Sequence, residues 1–242
     1  MSRIGGPVLL VLVVVIGLQH WSNPEGAAEV WGEVPVVGGA LDALGLGVEP
    51  DWDAIAVDVA PHVRYVEGEG CDGPQTGLGF VVAGHLLTAG HLVDGGAPVR
   101  ITQPTAAAPS AQSVAVEVDA AHDLAWAMVS VNGDGLELDA AVPEAGAVVL
   151  LASVGRSGPA FSTGRVHLHL PDGGYGYRGP LLLIEADTEA GFSGGPAVSA
   201  AGDVVAMVVA RDRTTGLALA VPGSALADLN GATAASASTC EA

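Results

Sequence analysis

Gly191-Phe192-Ser193-Gly194-Gly195-Pro196 sets a serine among glycines. Glycine lets the backbone take a tight, partly left-handed turn there, and such a turn frees neighbouring N–H groups to converge where an oxyanion can form. An ordinary Gly/Ser turn between strands is the competing reading, because with 35 Gly among 242 residues Gly-x-Ser-x-Gly alone is a weak pattern. The same five residues also match the nucleophile elbow of α/β-hydrolases, in which the acid and the histidine follow the serine in the chain. The last of the seven histidines here is His169. No histidine follows Ser193, so that order is impossible and the base must come from upstream.

Upstream, His91 sits in Leu86-Leu87-Thr88-Ala89-Gly90-His91-Leu92-Val93, where an apolar strand runs into small residues that leave the imidazole accessible. His85 is a rival, but its place in a hairpin turn reads as exposed. Asp123, in His122-Asp123-Leu124-Ala125-Trp126-Ala127, is an acid at the start of an apolar strand, able to be buried while paired with a histidine whose tautomer it fixes. Alone it would read as a simple strand-start Asp. Together the residues give the order His91, Asp123, Ser193.

Composition agrees with a β-rich chain. Aromatic residues are 4% of the total and Gly is abundant, which argues against long helices and for short strands joined by turns. Period-two runs predict twelve strands: His62 to Glu67, Gly77 to Ala83, His85 to Thr88, Val99 to Thr102, Ser113 to Val118, Leu124 to Val131, Ala147 to Val154, Phe161 to Leu170, Leu181 to Ala186, Ala197 to Ala200, Val204 to Ala210 and Leu217 to Val221. So many short strands mean a sandwich or a barrel. Val166-His167-Leu168-His169-Leu170 alternates most cleanly, with Val166, Leu168 and Leu170 expected inward and both histidines outward on a solvated face. Pro222 to Leu229 reads as a short closing helix.

Eight Arg and no Lys against 27 acidic residues give a net charge of -19 with no basic cluster. A phosphate-binding surface needs the opposite sign, so nucleic acid is excluded as a partner. Arg3 precedes an apolar run, residues 4–18, then polar Gln19, His20, Ser22 and Asn23. Residues 1–28 therefore read as a signal peptide or a membrane anchor, with 4–18 the tether in the second case. Residues 29–61, rich in Gly, Pro and Asp, read as a linker with one short helix, and 62–242 as the folded domain. Export suits the two cysteines, Cys71 and Cys240, since an oxidising compartment favours their bridging. Two unrelated thiols are the bland alternative.

From about Val63 to Leu229 the chain resembles the trypsin-like serine proteases of the bacterial, HtrA-related kind. Gly77-Leu78-Gly79-Phe80-Val81-Val82 matches that family's glycine-flanked opening strand, and Thr88 to Val93, His122 to Ala127 and Gly191 to Pro196 match its three catalytic blocks. It is similar in more detail to the membrane-tethered periplasmic proteases of the MarP type, in Cys71, Thr163-Gly164-Arg165-Val166, the segment Asp212 to Leu219 and the ending Ser238-Thr239-Cys240. Where those relatives have several membrane spans, this sequence carries one hydrophobic run.

The resemblance implies an all-β fold of two six-stranded antiparallel β-barrels, chymotrypsin-like, with a short C-terminal helix. It implies Ser193 as nucleophile, His91 as general base, Asp123 as its orienting acid, backbone N–H groups of Gly191 and Ser193 as the oxyanion hole, and a Cys71–Cys240 disulfide. It places the substrate pocket among Asp187, Val208, Val209, Ala210 and Ala218. Phe192 departs from the family's usual Asn or Asp, which leaves the shape of the oxyanion loop open. The expected activity is an exported serine endopeptidase acting on peptides or proteins, secreted, periplasmic or anchored at the outer face of the cytoplasmic membrane. The alternative is a catalytically silent protease-like domain that binds peptides or partner proteins. No cofactor or metal is implied; a zinc hydrolase built on His85, His91 or the His167/His169 pair lacks an acidic ligand motif.

Overall fold

Period-two runs bounded by turn residues become strands nearly wherever they occur. The computed structural model of the protein describes residues 49–103, 111–119, 122–129, 135–156, 158–187, 191–228 and 240. The segment 1–28 and most of the stretch read as a linker lie outside the described residues. The chain divides into two units, residues 1–50 and Asp51–Ala242. Within the second, a helix α1 (Trp52–Val59) is capped by the Asp51 carboxylate, which accepts the Ala54 N–H at 3.0 Å. It is the one short helix expected before His62, and Val59 is buried in the domain core. The guanidinium of buried Arg64 ties the following turn down, donating to the carbonyls of Pro61 (2.7 Å) and Val63 (3.0 Å).

The first sheet comprises β1 (Val63–Gly70), β2 (Gly73–Val82), β3 (His85–Ala89), β4 (Val99–Thr102), β5 (Ala111–Val114), β6 (Glu117–Asp119) and β7 (Leu124–Met128), in the order β5-β4-β1-β2-β3-β7-β6, all antiparallel. The run Ser113 to Val118, expected as one strand, bends at Ala115 and Val116, so that β5 pairs with β4 at one edge and β6 with β7 at the other. Two edges only two residues apart along the chain require a curled sheet, a six-stranded barrel if the bent strand is counted once. The second sheet, β8 (Val148–Val154), β9 (Pro159–Leu170), β10 (Leu181–Glu185), β11 (Pro196–Val198), β12 (Val204–Arg211) and β13 (Ala218–Pro222), is a closed barrel ordered β10-β13-β12-β11-β8-β9. A short helix α2 (Gly223–Asp228) follows. The chymotrypsin-like double barrel is thus as expected.

Both faces of the second barrel's strands are largely buried, except in β9, which keeps one face exposed. Val149, Leu151, Ile184, Ala206, Val208 and Ala220 belong to its interior cluster, while Leu150, Leu183, Met207 and Leu219 join a larger cluster with Phe80, Leu86 and Leu92 of the first barrel. The segment between the barrels is pinned to each: Leu136 N–H donates to Val81 (2.7 Å), Val204 N–H to Glu137 (2.8 Å) and Asp139 N–H to Val204 (2.9 Å).

The cleanest alternation in the sequence is where the structure differs. In β9, Val166 and Leu168 pair with the adjacent residues Ile184 and Leu183, so His167 is an extra residue, a β-bulge. A bulge exchanges the faces beyond it. Val166 is 1% exposed as expected, but Leu168 turns outward at 45%, and Nε2 of His169 is buried instead.

Cys71 and Cys240 form a disulfide with a sequence separation of 169, fastening the chain's C-terminal end to the β1–β2 turn. Closing so long a loop stabilises the fold by at most about 5 kcal/mol in the chain-entropy treatment. Reduction, or Cys71→Ser with Cys240→Ser, should therefore lower the thermal midpoint by many degrees; equal midpoints with and without reductant, with free thiols verified, would show that the bridge does not stabilise the fold.

Candidate active site

Each of the three residues in the His91, Asp123, Ser193 order arrives on a different short element. A 3-10 turn at Gly90–Leu92 ends β3 and presents His91. Asp123 stands just before β7 in the left-handed region, φ +54°. Asp tolerates that conformation better than most residues, and strained backbone of this kind clusters at functional sites. It aims both the main chain and the carboxylate of Asp123 at the His91 turn. The Asp123 carbonyl accepts the Gly90 N–H (2.9 Å), and Oδ1 accepts the His91 main-chain N–H (2.7 Å).

The side chains meet as well. His91 Nδ1 lies 2.9 Å from Asp123 Oδ2 and 3.1 Å from Oδ1. A carboxylate only accepts, so Nδ1 carries the proton and Nε2 keeps its lone pair toward solvent. Burial of His91 by itself lowers its pKa, but the hydrogen bond and charge of Asp123, with the charge of Asp94, outweigh it and raise the value above the ordinary imidazole range. Asp94 is held by a bond of its own, Oδ1 accepting the Cys71 N–H at 2.8 Å, so the disulfide-bearing turn abuts the His91 turn.

Sequence reasoning missed one residue here. Tyr177, in the glycine-rich connection between β9 and β10, donates its O–H to Asp123 Oδ2 at 3.3 Å. Burial, and then the neighbouring Asp123 charge, push the phenol well above its ordinary pKa, so it stays a donor. Asp172-Gly173-Gly174-Tyr175-Gly176-Tyr177 reads as a plain turn, and nothing local separates exposed Tyr175 from half-buried Tyr177. The same loop reaches His122, since a Cβ at Gly179 would lie 3.1 Å from that ring.

Ser193 comes from the second barrel on a loop held at nearly every peptide. The Gly191 carbonyl accepts from Val154 (3.1 Å), that of Phe192 from Gly195 (2.9 Å), that of Ser193 from Leu78 (2.9 Å), and Gly194 N–H donates to Val208 (2.8 Å). Gly194 is obligatory: its φ is +79°, and a Cβ there would collide with the Leu78 carbonyl and come within 2.6 Å of Thr88 Oγ1. With these carbonyls turned away, the N–H groups of Gly191 and Ser193 take no acceptor among the described residues. Ser193 Oγ is directed at the Val209 carbonyl, 3.5 Å away, and makes no hydrogen bond to His91. In an unliganded site such contacts are often long and tighten only when substrate binds.

Of the residues placed in the pocket from sequence, Asp187 is exposed and Ala210 half-buried. Val208, Val209 and Ala218 are 2%, 1% and 0% exposed. Only Asp187 and Ala210 of the five are therefore open to a ligand. Val209 is the bulged residue of β12, which is why its carbonyl reaches the serine.

The sequence model of the trypsin-like peptidase domain matches residues 77–207, the span that holds all three residues. No curated relative matches. Among solved structures the chain is similar to the Rv3671c protease of M. tuberculosis in its active form, with TM-score 0.62 and 22% identity over 81% of this chain and 92% of that one. It is also similar to the HtrA-type protease AlgW with a tripeptide (TM-score 0.65, 18% identity, 75% of this chain and 62% of AlgW). The serine endoprotease of Yersinia pestis is a third (TM-score 0.62, 19% identity, 76% and 66%). With its double barrel, its paired His91 and Asp123, and a family match over more than half its length, the chain belongs to the trypsin-like peptidase family, with the MarP-type and HtrA-type proteases as structural neighbours.

Proposed function

We propose that the protein is an exported serine endopeptidase that cleaves peptide bonds through an acyl-enzyme. The observation that carries this reading is the His91–Asp123 pair, together with a Ser193 loop whose Gly191 and Ser193 N–H groups take no acceptor among the described residues. Ser193 Oγ attacks the scissile carbonyl while its proton passes to His91 Nε2. The N–H groups of Gly191 and Ser193 hold the oxyanion, an interaction that contributes about 3 to 4 kcal/mol per donor. His91 then returns the proton to the leaving amine as the C–N bond breaks, and a water, deprotonated by the same imidazole, releases the acyl group. Asp123 orients His91 and stabilises its cation, and Tyr177 steadies Asp123.

A peptide substrate is supported by the tripeptide held in AlgW and the decapeptide held in a second AlgW structure. Export is supported by the apolar run 4–18 and by the bridged cysteines. The net charge of -19 would steer basic substrates toward the molecule, and exposed Asp187 is a candidate contact for a basic side chain. One observation favours the second reading, a silent peptide-binding domain: Ser193 Oγ turns to Val209 and not to His91.

Labelling by a fluorophosphonate probe separates the two. The oxidised, full-length chain should be labelled at Ser193, and labelling should vanish in Ser193→Ala and His91→Ala; a folded protein that takes no label is the silent domain. Asp123→Asn should keep the fold yet cost about 10⁴-fold in labelling rate, as expected when the imidazole loses its tautomer. Tyr177→Phe should cost several-fold, the equivalent of one modest hydrogen bond of about 1 kcal/mol.

The pH profile follows from His91. Its neutral form is the base, and its pKa is raised, so the rate should fall as pH drops through a value above 6.5. Asp94→Asn removes one of the charges that raise it and should move this acid limb to lower pH; an unmoved limb would show that Asp94 does not act on His91.

A further inference from the structure

Phe192 stands between Gly191 and Ser193, the two residues whose N–H groups are proposed above to hold the oxyanion. Its ring is 7% exposed and belongs to the apolar cluster in the interior of the second barrel, with Leu151, Ile184, Val208, Ala218 and Ala220. Four other members of that cluster, Ala197, Ala206, Ala218 and Ala220, are alanine, so the interior that holds the ring is lined in part by small side chains. Around the ring the main chain is set residue by residue: the Gly191 carbonyl on Val154, the Phe192 carbonyl on Gly195, the Ser193 carbonyl on Leu78. Gly191 itself has φ +105° and packs on Val154, where a Cβ would come within 3.1 Å.

We propose that Phe192 is the positioning residue of the oxyanion loop, an apolar anchor that seats its ring in the second barrel and thereby fixes the Gly191 and Ser193 N–H groups. The anchor comes from the barrel's own interior. It needs no ion pair. The catalytic use of the loop rests on the function proposed above; the anchoring itself does not.

The test uses the oxidised full-length protein and the variants Phe192→Leu, Phe192→Ala and Phe192→Asn, at a temperature where circular dichroism shows each folded. Two readouts are taken. The first is fluorophosphonate labelling resolved into its limiting rate and its half-saturating concentration. Phe192→Ala should lower the limiting rate by about 10² to 10³-fold, the loss typical of an oxyanion donor, with half-saturation within twofold. Leu should recover most of the rate. Asn, the residue usual in relatives, should recover none.

The second readout is amide hydrogen exchange, which needs no activity. Exchange at Gly194 and Gly195 should accelerate at least tenfold in Phe192→Ala while Val205 and Met207 in β12 keep their protection. Unchanged exchange at Gly194 and Gly195, or an Asn variant labelled as fast as the native chain, overturns the anchor. If the native chain takes no label and the exchange still responds as stated, the endopeptidase reading fails and the anchor stands.

Discussion

The hydrogen bond from the Leu78 N–H to the Ser193 carbonyl, 2.9 Å long, crosses the seam between the two barrels, and the site depends on it. On one side lies β2, paired with β3, which leads into the His91 turn; β7, on the far side of β3, begins just after Asp123. On the other lies the loop of Ser193. Around this bond the larger apolar cluster runs continuously from one barrel to the other, which excludes water and makes the loss of any single main-chain partner costly. Thr88, fully buried, adds its hydroxyl to the Leu78 carbonyl at 2.6 Å, so the residue that meets the serine loop is held through both its N–H and its carbonyl. Tyr65 repeats the arrangement farther along, its O–H donating to the Gly155 carbonyl at 2.7 Å.

Across that seam the chemistry is divided. The first barrel supplies the charged pair, with Asp123 15% and His91 40% exposed at the side chain, and the second supplies neutral main-chain donors. The division suits the electrostatics. A carboxylate can be largely buried when it has several donors, and Asp123 has the His91 main chain, the His91 ring and Tyr177. The donors of the serine loop need no such network, because backbone held by its own carbonyl bonds is already oriented. Tyr177 is the exception, a side chain from the second barrel that reaches across to the acid of the first.

What could be read in the sequence divides along the same physical line. The order of His91, Asp123 and Ser193 was legible because chain order and residue chemistry alone discard the competing elbow. Strand positions were legible because turn residues punctuate them. The facing of β9 was not: a bulge at His167 depends on pairing with β10, and alternation along one strand carries no trace of it. The burial of Val208 and Ala218 was hidden for a related reason, since both faces of β12 and β13 are largely covered and small apolar residues look alike on a pocket wall and in a core. Tyr177 and the seat of Phe192 are long-range contacts, set by where the loops land and not by their composition. Phe192 read as a departure from a motif, whereas in the structure it is buried with the apolar cluster of the second barrel.

The seam also bears on how the molecule comes into being. A chain emerging from its amino terminus presents the strands of the first barrel before β8 to β13 exist, and those strands carry His91 and Asp123 but not Ser193. The serine loop, for its part, lacks the Leu78 partner until the first barrel is there to offer it. Neither half has both the nucleophile and its base, so on the reading proposed here a half-made or half-unfolded molecule cannot digest its neighbours. Proteolytic competence is then switched on by the same cooperative step that completes folding.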